Sequence, residues 1–421
     1  MRQLVLDELA SSIAGAIKQF QGKLVFATSP SRIFAILDAS LVERVFWCIL
    51  CTELLHLHDG PSLLSSVRTS LNNIDWTHYF RHRHIWLDQI LPAGHNCDDK
   101  NLPLDVRLFV KLRPKWMIRY TKAVHETTVR CLTRPMMVNF CNDAALEANL
   151  MVSNAMLFLL LPLTRKPLSL RDYIPHPGLR STSASALVRD IKEGTLLDPM
   201  CGKGVLLCEA VMKAFKRSRS DVALVKSVHC FLLGTDCSAK QLHCARENLI
   251  HIQTSTKAPG FSWDLIQCFT EYLPFRDGIF DNVVCDMPFG KKHGVCSHNS
   301  EVLSTLSLQN AYTIWLSSIK QNLCSGGKLN LLVGEGLSEV ASNALQKLRV
   351  QLTSSFSISL GTSKAVLLSG FRYDSGGGTV PSDTVADSSH SIISKACDTC
   401  TESITTPTLC SSMEDCDPHK H

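Results

Sequence analysis

The segment Leu196-Leu-Asp-Pro-Met-Cys-Gly-Lys-Gly-Val-Leu-Leu-Cys-Glu-Ala210 decides the fold of this chain. An apolar strand is predicted to enter a tight turn that contains Gly202 and Gly204, and a helix begins directly afterwards. Glycines let the backbone approach a ligand closely, and the helix N-terminus supplies free N–H donors. A dinucleotide site would need a third glycine where Leu207 stands. The carboxylate of Asp198 would also repel a diphosphate, so the segment favours a cationic ligand.

Strands and helices alternate on both sides of this segment, over residues 186–373. This alternation predicts a doubly wound α/β domain with a parallel sheet covered on both faces. A close final pair of strands predicts the seven-stranded, Rossmann-like variant in which the last strand inserts antiparallel. The predicted strands are Gly194–Leu197, Cys230–Gly234, Leu265–Gln267, Asn282–Asp286, Lys328–Val333, Ser354–Ser359 and Ala365–Gly370. The predicted helices are Leu206–Arg217, Ala239–Ile250, Leu303–Leu323 and Leu337–Leu348.

A second motif, Leu232-Leu-Gly-Thr-Asp-Cys-Ser238, places Asp236 at the end of the second predicted strand. In nucleotide-binding doubly wound folds an acidic residue at this place binds the ribose hydroxyls. Asp236 could instead cap the helix that starts near Ala239. Its position at the strand tip favours ribose binding.

A third motif, Val283-Val-Cys-Asp-Met-Pro-Phe-Gly-Lys291, follows the fourth predicted strand, beside the switch point where ligands bind. The Asp286 carboxylate and the carbonyl beside Pro288 can accept two hydrogen bonds from an aryl amine, and Phe289 can stack on an extruded base. Such acceptors orient the nitrogen lone pair and stabilise the charge that builds on nitrogen. The alternative is a proline-bearing turn after a buried strand. Together the motifs indicate methyl transfer from a sulfonium cofactor to an amino group.

The rest of the chain divides into three regions that differ in residue pattern and composition. Residues 1–113 are predicted to form a small α+β region with an opening helix from Leu4 to Ile17, a strand at Gly22–Phe26, a helix at Ala39–Leu54 and a strand at Leu104–Leu112. Residues 114–185 are predicted to be a connector that leads into a helix at 181–191, capped by Ser181 or Thr182. Residues 374–421, rich in small polar residues, are predicted to be disordered.

Composition narrows the class of protein. The 421 residues are 45% hydrophobic with a formal net charge of +5, which excludes a polybasic tail but allows local basic patches. No secretory signal is expected and no apolar run reaches the length of a membrane span, so the 18 cysteines indicate free thiols in a nuclear or cytoplasmic protein. Arg81–His84, interleaved with Trp76, Tyr79 and Trp86, is either an RNA contact or a solvated face with inward aromatics. A zinc site in the tail, at Cys397, Cys400 and later Cys and His residues, is conceivable, but the spacing is poor.

The three motifs, together with the run Asp172-Tyr-Ile-Pro-His-Pro-Gly-Leu-Arg-Ser-Thr182, resemble the THUMP-domain guanosine-N2 methyltransferases. Leu163–Leu168, Glu271–Phe275 and Leu360–Ala365 add to the resemblance, which is clear over 160–373. The resemblance implies an RNA-gripping THUMP-like module in front of a catalytic domain that makes N2-methylguanosine in tRNA or in U6 spliceosomal RNA. It also implies a small zinc-binding activator subunit as partner, and no membrane association.

The resemblance also implies the site residues by position. S-adenosyl-L-methionine would be held by a set drawn from the first two motifs and the preceding run: Arg180, Thr182, Asp198, Cys201, Gly202, Gly204, Asp236 and Cys237. The target base would be held by a set drawn from the third motif: Asp286, Pro288, Phe289 and Gly290. No metal ligand is implied within this chain.

The chain departs from the family pattern at several places. Lys203 puts a cation near the expected sulfonium, and Phe269 stands where an adenine-binding acid is usual. The stretch between Trp86 and Leu104 is short for a THUMP domain, and Lys115–Asn154 has no obvious counterpart. Two alternatives therefore stay open: an adenine-N6 amino methyltransferase, and a catalytically inactive RNA-binding scaffold.

Overall fold

The computed structural model describes residues 2–20, 22–55, 57–90, 103–191, 193–220, 230–256, 261–289, 305–360 and 363–373. The predictions of a disordered tail and of tail zinc ligands lie outside these residues, and so does Gly290. The structure contains a front module, built on a five-stranded sheet, and a second domain, built on a seven-stranded sheet. The second domain is the one that the resemblance implies to be catalytic, and it is called the catalytic domain below.

The front module is made of the first seven strands and five helices. Its strands are β1 (Ala14–Phe20), β2 (Lys23–Ala27), β3 (Phe46–Glu53), β4 (Leu104–Leu112), β5 (Val138–Phe140), β6 (Leu146–Ser153) and β7 (Met156–Pro162). Its helices are α1 (Arg2–Leu9), α2 (Ile33–Leu37), α3 (Gly60–Asn72), α4 (Thr77–Ile90) and α5 (Thr121–Met136). Strands β1 and β2 form a separate hairpin, while the others form a sheet of order β3-β7-β6-β4-β5.

The interpretation of residues 114–185 as a connector is corrected by this sheet. The segment that lacked a family counterpart, Lys115–Asn154, forms α5, β5 and β6, and β6 lies at the centre of the sheet between β4 and β7. Every second residue of β6 is buried, from Leu146 to Val152, as expected for a strand with one face on the core. The alternation was overlooked because Asn149 and Asn154 gave the stretch a loop-like composition.

Two predictions nearer the N-terminus are also wrong. The opening helix ends at Leu9, and Ile17 lies in β1, because Gly15 adopts a positive φ of 73° that no helix accommodates. The predicted helix Ala39–Leu54 is replaced by β3, which is half-buried along nearly its whole length against β7. A continuous apolar run of this kind fits a buried helix and a buried strand equally well by periodicity. The strand predicted at Leu104–Leu112 is confirmed with the same bounds.

The catalytic domain follows the predicted alternation. Its strands are β8 (Gly194–Asp198), β9 (Cys230–Asp236), β10 (Phe261–Gln267), β11 (Phe280–Asp286), β12 (Leu323–Gly334), β13 (Val350–Leu360) and β14 (Ser363–Arg372). Its helices are α6 (Ser181–Leu187), α7 (Val205–Ser220), α8 (Ala239–Thr256), α9 (Thr305–Asn322) and α10 (Ser338–Lys347). Short 3₁₀ helices lie at Ala10–Ser12, Pro30–Arg32, Lys115–Tyr120, Thr270–Tyr272 and Glu335–Leu337.

The order of the catalytic sheet is β10-β9-β8-β11-β12-β14-β13, and β14 runs antiparallel to both of its neighbours. The predicted Rossmann-like methyltransferase fold is therefore confirmed. Strands β9 and β10 lie on one side of β8, whereas β11 and the later strands lie on its other side. The carboxyl ends of the neighbouring strands β8 and β11 therefore flank the crevice in which such folds bind ligands. The apolar residues of the strands are buried on both faces, which explains why they appear as continuous runs in the sequence.

Candidate functional site

The turn between β8 and α7 has the backbone conformation that its glycines allow. Gly202 and Gly204 have φ values of 50° and 71°, in the left-handed region that favours glycine. A Cβ on Gly204 would lie 3.1 Å from the Cβ of Ala245 on α8, so this glycine permits close helix packing. A Cβ on Gly202 would meet no atom within 4 Å. Of the two, only Gly202 therefore faces open space where a ligand could approach the backbone.

Two hydroxyl groups hold the start of this turn. Thr235 on β9 and Thr270 after β10 both donate to the carbonyl of Pro199, at 2.9 and 2.8 Å. Both threonines are buried. They fix the peptide between Pro199 and Met200 at the start of the turn, and the sequence motifs gave no signal for either of them.

Asp236 lies beside the same turn. Its Oδ2 accepts a hydrogen bond from the Gly202 N–H at 2.9 Å, and its Oδ1 accepts one from the Ser238 N–H at 2.8 Å. The carboxylate therefore joins the tip of β9 to the glycine turn and caps the turn before α8 as well. Its remaining lone pairs stay available to a ligand. The backbone carbonyl of the next residue, Cys237, accepts from the Gln267 side chain.

The third motif continues from β11 as an ordered turn. The Met287 N–H donates to the Leu332 carbonyl at 2.9 Å, and the buried hydroxyl of Tyr312 on α9 donates to the Pro288 carbonyl at 2.9 Å. The ring of Phe289 lies against Gly334 at the end of β12, where a Cβ would sit 3.5 Å from it. Tyr312 and Gly334 were not predicted as site residues, although a glycine at a strand end beside an aromatic turn is a usable signal.

The three aspartates of the motifs lie within electrostatic range of one another. Burial raises the pKa of Asp198 well above its usual value, and the neighbouring charges of Asp286 and Asp236 raise it further. Burial raises the pKa of Asp286 to about 7. The Oδ2 atom of Asp198 is buried without a hydrogen-bond partner among the described residues. The site thus concentrates negative charge, which a bound cation would stabilise.

No described cation of the protein neutralises this charge. Lys203 turns its Nζ to the Pro177 carbonyl, at 3.0 Å, instead of toward the carboxylates. Arg180 forms an ion pair with Glu43 at 3.1 Å. The Lys203 ammonium is therefore bound to a backbone carbonyl of the proline-rich loop, and the structure shows no contact of Arg180 with the three aspartates.

A buried amide fixes the proline-rich loop against the glycine turn. Asn248 on α8 is fully buried; its Oδ1 accepts from the His176 N–H, and its Nδ2 donates to the carbonyls of His176 and Lys203, at 2.8 to 3.0 Å. Asn248 therefore couples the loop at 173–180 to the turn that carries Gly202. No local sequence pattern indicates this role of Asn248.

A buried ion pair anchors the beginning of the same loop. The Arg171 Nε lies 3.1 Å from Glu209 on α7, and Glu209 also accepts hydrogen bonds from Tyr173 and Ser185. Arg171 donates further to the carbonyl of Ser40 in the front module. Because these contacts join the front module, the loop and α7, they fix how the chain enters the catalytic domain.

The remaining predicted site residues are Thr182, Cys201 and Gly290. Thr182 is buried in α6, and the N-cap of that helix is Arg180 without a side-chain cap, so the predicted capping by Ser181 or Thr182 is wrong. Cys201 is buried, and its Sγ lies 3.8 Å from the Gly202 carbonyl. Gly290 lies outside the described residues.

The basic, aromatic stretch of the front module is helix α4. Tyr79 and Trp86 are buried, and the Trp86 indole donates to the Pro162 carbonyl at 2.9 Å. These two rings belong to the core and offer no stacking surface to a base. Arg81 and His84 are exposed, and the neighbouring Phe80 is exposed as well, so charged side chains and one aromatic ring of the stretch face solvent.

The described residues contain neither a membrane-spanning helix nor a cluster of metal ligands. No described helix has both the length and the apolar character needed to cross a bilayer. The described part of the chain also holds no group of three or more His, Cys, Asp or Glu residues placed to bind a metal ion.

Comparison with known proteins gives matches over the catalytic domain. The family described as "RMKL-like, methyltransferase domain" matches residues 169–363, so this part of the chain is similar to a methyltransferase domain. The U6 snRNA (guanine-N(2))-methyltransferase THUMPD2 of Mus musculus is 39% identical over 137 residues, which are 31% of this chain and 22% of that protein. The tRNA (guanine(6)-N(2))-methyltransferase THUMP3 of Homo sapiens is 30% identical over 149 residues, 32% of this chain and 27% of that protein.

These matches confirm the resemblance drawn from the motifs, although the chain covers only about a quarter of the length of the two relatives. Among solved structures, TrmN from Thermus thermophilus has a similar fold, with a TM-score of 0.59 at 17% identity. That likeness covers 88% of this chain and 96% of the other. It therefore extends over the front module as well as the catalytic domain.

Proposed function

We propose that this protein is an S-adenosyl-L-methionine-dependent methyltransferase that modifies the exocyclic N2 of a guanosine in a structured RNA. The observation that carries the proposal is the cluster of three carboxylates, Asp198, Asp236 and Asp286, none of which forms an ion pair with a described residue. Such a cluster disfavours diphosphates and favours a ligand with positive charge. The printed activities of the relatives, methyl transfer to guanine N2 in U6 snRNA and in tRNA, support the choice of substrate.

The residues at the glycine turn fit this cofactor. The unpartnered Oδ2 of Asp198 is a buried acceptor, and open space lies in front of Gly202. Asp236 keeps lone pairs for ribose hydroxyls, and Cys201 and Gly202 supply the backbone between the two acids. When bound, the cofactor supplies an electrophilic methyl group. Phe269, which follows β10, offers an aromatic surface at the place where the family usually has an acid.

The third motif would orient the amino group. The carboxylate of Asp286 and the carbonyl of Met287 receive no hydrogen bond from a described residue, so both can accept N–H donors of a base. Tyr312 and Gly334 fix the turn and the ring of Phe289, so the two acceptors are pre-organised. A pKa of about 7 suits Asp286 to take up a proton from the methylated nitrogen and return it to water.

Two partners belong to the proposal. The RNA would be U6 snRNA or a tRNA, and the protein would therefore act in the nucleus or the cytoplasm. A small zinc-binding activator subunit is proposed from the family resemblance, and the described residues offer no metal-binding group of their own that would replace it.

Paired substitutions test the site. Asp286→Ala is expected to abolish methyl transfer while S-adenosyl-L-methionine binding, measured by calorimetry with the activator subunit present, changes little. Asp236→Ala is expected to weaken cofactor binding first. Asp264→Ala, which removes an exposed carboxylate from β10, serves as the control. Small and equal effects of the two site substitutions would refute the assignment. A wild-type protein that binds RNA but no cofactor would indicate the catalytically inactive RNA-binding scaffold. Methylation of adenosine would indicate the adenine-N6 amino methyltransferase.

A further inference from the structure

Two cysteines lie on the same face of β3, the strand at one edge of the five-stranded sheet. Cys48 and Cys51 are three residues apart, a spacing that in a regular strand puts side chains on opposite faces. A register shift between Cys48 and Leu50 absorbs the extra residue. The two cysteines therefore stand opposite Leu160 and Phe158, which are alternate residues of β7. Both thiols consequently share one face of the sheet.

The two sulfur atoms are close enough to interact directly. The Cys48 thiol forms a hydrogen bond with Cys51, and its Sγ also lies 3.3 Å from the Leu50 carbonyl oxygen. Because their opposing residues on β7 are two positions apart, the Cα atoms of the cysteines are separated by about two strand steps, or about 6.6 Å. Disulfides span Cα separations of about 4.4 to 6.8 Å. A disulfide between these cysteines therefore needs only a local adjustment of the bulge.

The two thiols differ in how readily they ionise. The hydrogen bond from Cys48 lowers the pKa of Cys51 to about 7, and the charge of Lys18 on β1 acts in the same direction, while burial opposes both. The hydrogen bond and burial raise the pKa of Cys48. Near neutral pH, Cys51 is therefore about half ionised and Cys48 keeps its proton. A thiolate next to a second thiol is the arrangement of an attacking and a resolving cysteine.

Small molecules from solvent can reach this pair. Cys48 and Cys51 are both half-buried, and Lys18 is exposed. Reactive cysteines lie in partly exposed, electropositive places of this kind. The thiols in the core of the catalytic domain differ in both respects, because Cys201 and Cys285 are buried and their burial raises their pKa values.

We propose that Cys51 and Cys48 form a peroxide-reactive dithiol that closes to an intramolecular disulfide. The Cys51 thiolate attacks one oxygen of a hydroperoxide, so that an S–O bond forms, the O–O bond breaks, and the leaving oxygen takes a proton from solvent. The Cys48 sulfur then attacks the Cys51 sulfenic acid. The S–S bond forms, the S–O bond breaks, and the hydroxyl leaves as water with the Cys48 proton. Overall each sulfur loses one electron and the peroxide gains two.

Peptide mapping of the full chain tests this proposal. The reduced protein is treated with equimolar hydrogen peroxide at about pH 7, the remaining thiols are blocked with N-ethylmaleimide, and the protein is digested with trypsin. The tryptic peptide 45–68 contains Cys48 and Cys51 and no other cysteine. This peptide is expected to lose two hydrogens and to take up no maleimide.

The half-buried Cys131 of α5 is the internal control, because burial raises its pKa above the ordinary 9.0. At about pH 7 a thiol with a pKa of about 7 has about 50 times more thiolate than one with a pKa of 9.0. Its lower nucleophilicity reduces this advantage to about 5-fold in rate. Peptide 45–68 should therefore be oxidised at least about 5-fold faster than the peptide that carries Cys131.

Two serine variants separate the roles of the cysteines. Cys48→Ser keeps a hydroxyl donor beside Cys51, so oxidation should proceed at a similar rate but stop at the sulfenic acid, which dimedone traps. Cys51→Ser should leave Cys48 reduced and fully labelled by maleimide. Unfolding midpoints in urea near that of the wild type show that both variants fold, and cofactor binding should be unchanged because the cofactor site lies on the other sheet.

Three results would overturn the proposal. They are full maleimide labelling of peptide 45–68 after peroxide treatment, oxidation of Cys131 at the same rate, and a disulfide from Cys48 or Cys51 to a third cysteine. An absence of the dimedone adduct in Cys48→Ser would also contradict it, because Cys51 would then not be the attacking thiolate. The proposal does not depend on methyl transfer, so these outcomes leave the proposed function untouched.

Discussion

Replacing Asp286 by asparagine should stabilise the fold while it damages the site. In the unfolded chain the Asp286 carboxyl loses its proton near its ordinary pKa of 3.8, but in the folded protein burial raises the pKa to about 7. Between these values the folded state binds more protons than the unfolded state, so the free energy of unfolding falls as the pH rises. Asparagine has the same shape and never ionises, so the variant escapes this loss.

The size of the effect follows from the two pKa values. A difference of about 3 units corresponds to about 4 kcal/mol at a pH above both values, which is an upper bound for one carboxyl. At about pH 5.5 only about half of this difference has developed. The advantage of Asp286→Asn over the wild type should therefore grow by about 2 kcal/mol between about pH 5.5 and about pH 8.5.

Urea denaturation of both proteins at the two pH values measures this directly. Asp264→Asn, which changes an exposed carboxylate on the edge strand β10 of the same sheet, should change stability by less than about 0.5 kcal/mol at both pH values. A stability difference between Asp286→Asn and the wild type that does not depend on pH would refute the reasoning. It would mean that the Asp286 carboxylate is solvated or paired, so that burial does not raise its pKa.

Three further predictions concern the same site. The rate of methyl transfer should rise with pH through about 7, because the ionised Asp286 is the better acceptor of N–H donors, and a flat profile between about pH 6 and about pH 8 would contradict this. Tyr312→Phe should lower kcat roughly 5- to 10-fold with unchanged cofactor affinity, since it removes one hydrogen bond to Pro288, while the exposed Tyr272→Phe should be silent in the same assay. Asn248→Ala should cost about 2–4 kcal/mol in urea denaturation, because the fully buried amide loses three hydrogen bonds to backbone groups of half-buried residues, and a cost below about 0.5 kcal/mol would show that the loop is held by other contacts.

The catalytic domain was accessible from the sequence because its signals are local. Buried parallel strands such as β8, β9 and β11 appear as apolar runs, and each acid proposed for the site is the last residue of one of them. The front module was harder to predict. The run at β3 fits a helix or a strand by periodicity, and the pairing of β6 between β4 and β7 joins residues distant in the chain.

The candidate site residues likewise divide into those that local sequence patterns identify and those that depend on tertiary contacts. Asp198, Asp236 and Asp286 were named from strand ends, and the structure places them close together. Tyr312 and Asn248 act from helices far along the chain, and their roles depend on tertiary contacts that no local pattern records. The tight turn that contains Gly202 and Gly204 was predicted, but only the packing against Ala245 distinguishes the glycine that serves the fold from the one that faces open space.

Nucleoside mass spectrometry of U6 snRNA and tRNA from cells that lack this protein tests the central claim most directly. The account predicts that N2-methylguanosine disappears from one position in one of these RNAs, returns with the wild-type protein, and does not return with Asp286→Ala. Unchanged N2-methylguanosine in both RNAs, or a loss of N6-methyladenosine in its place, would contradict it.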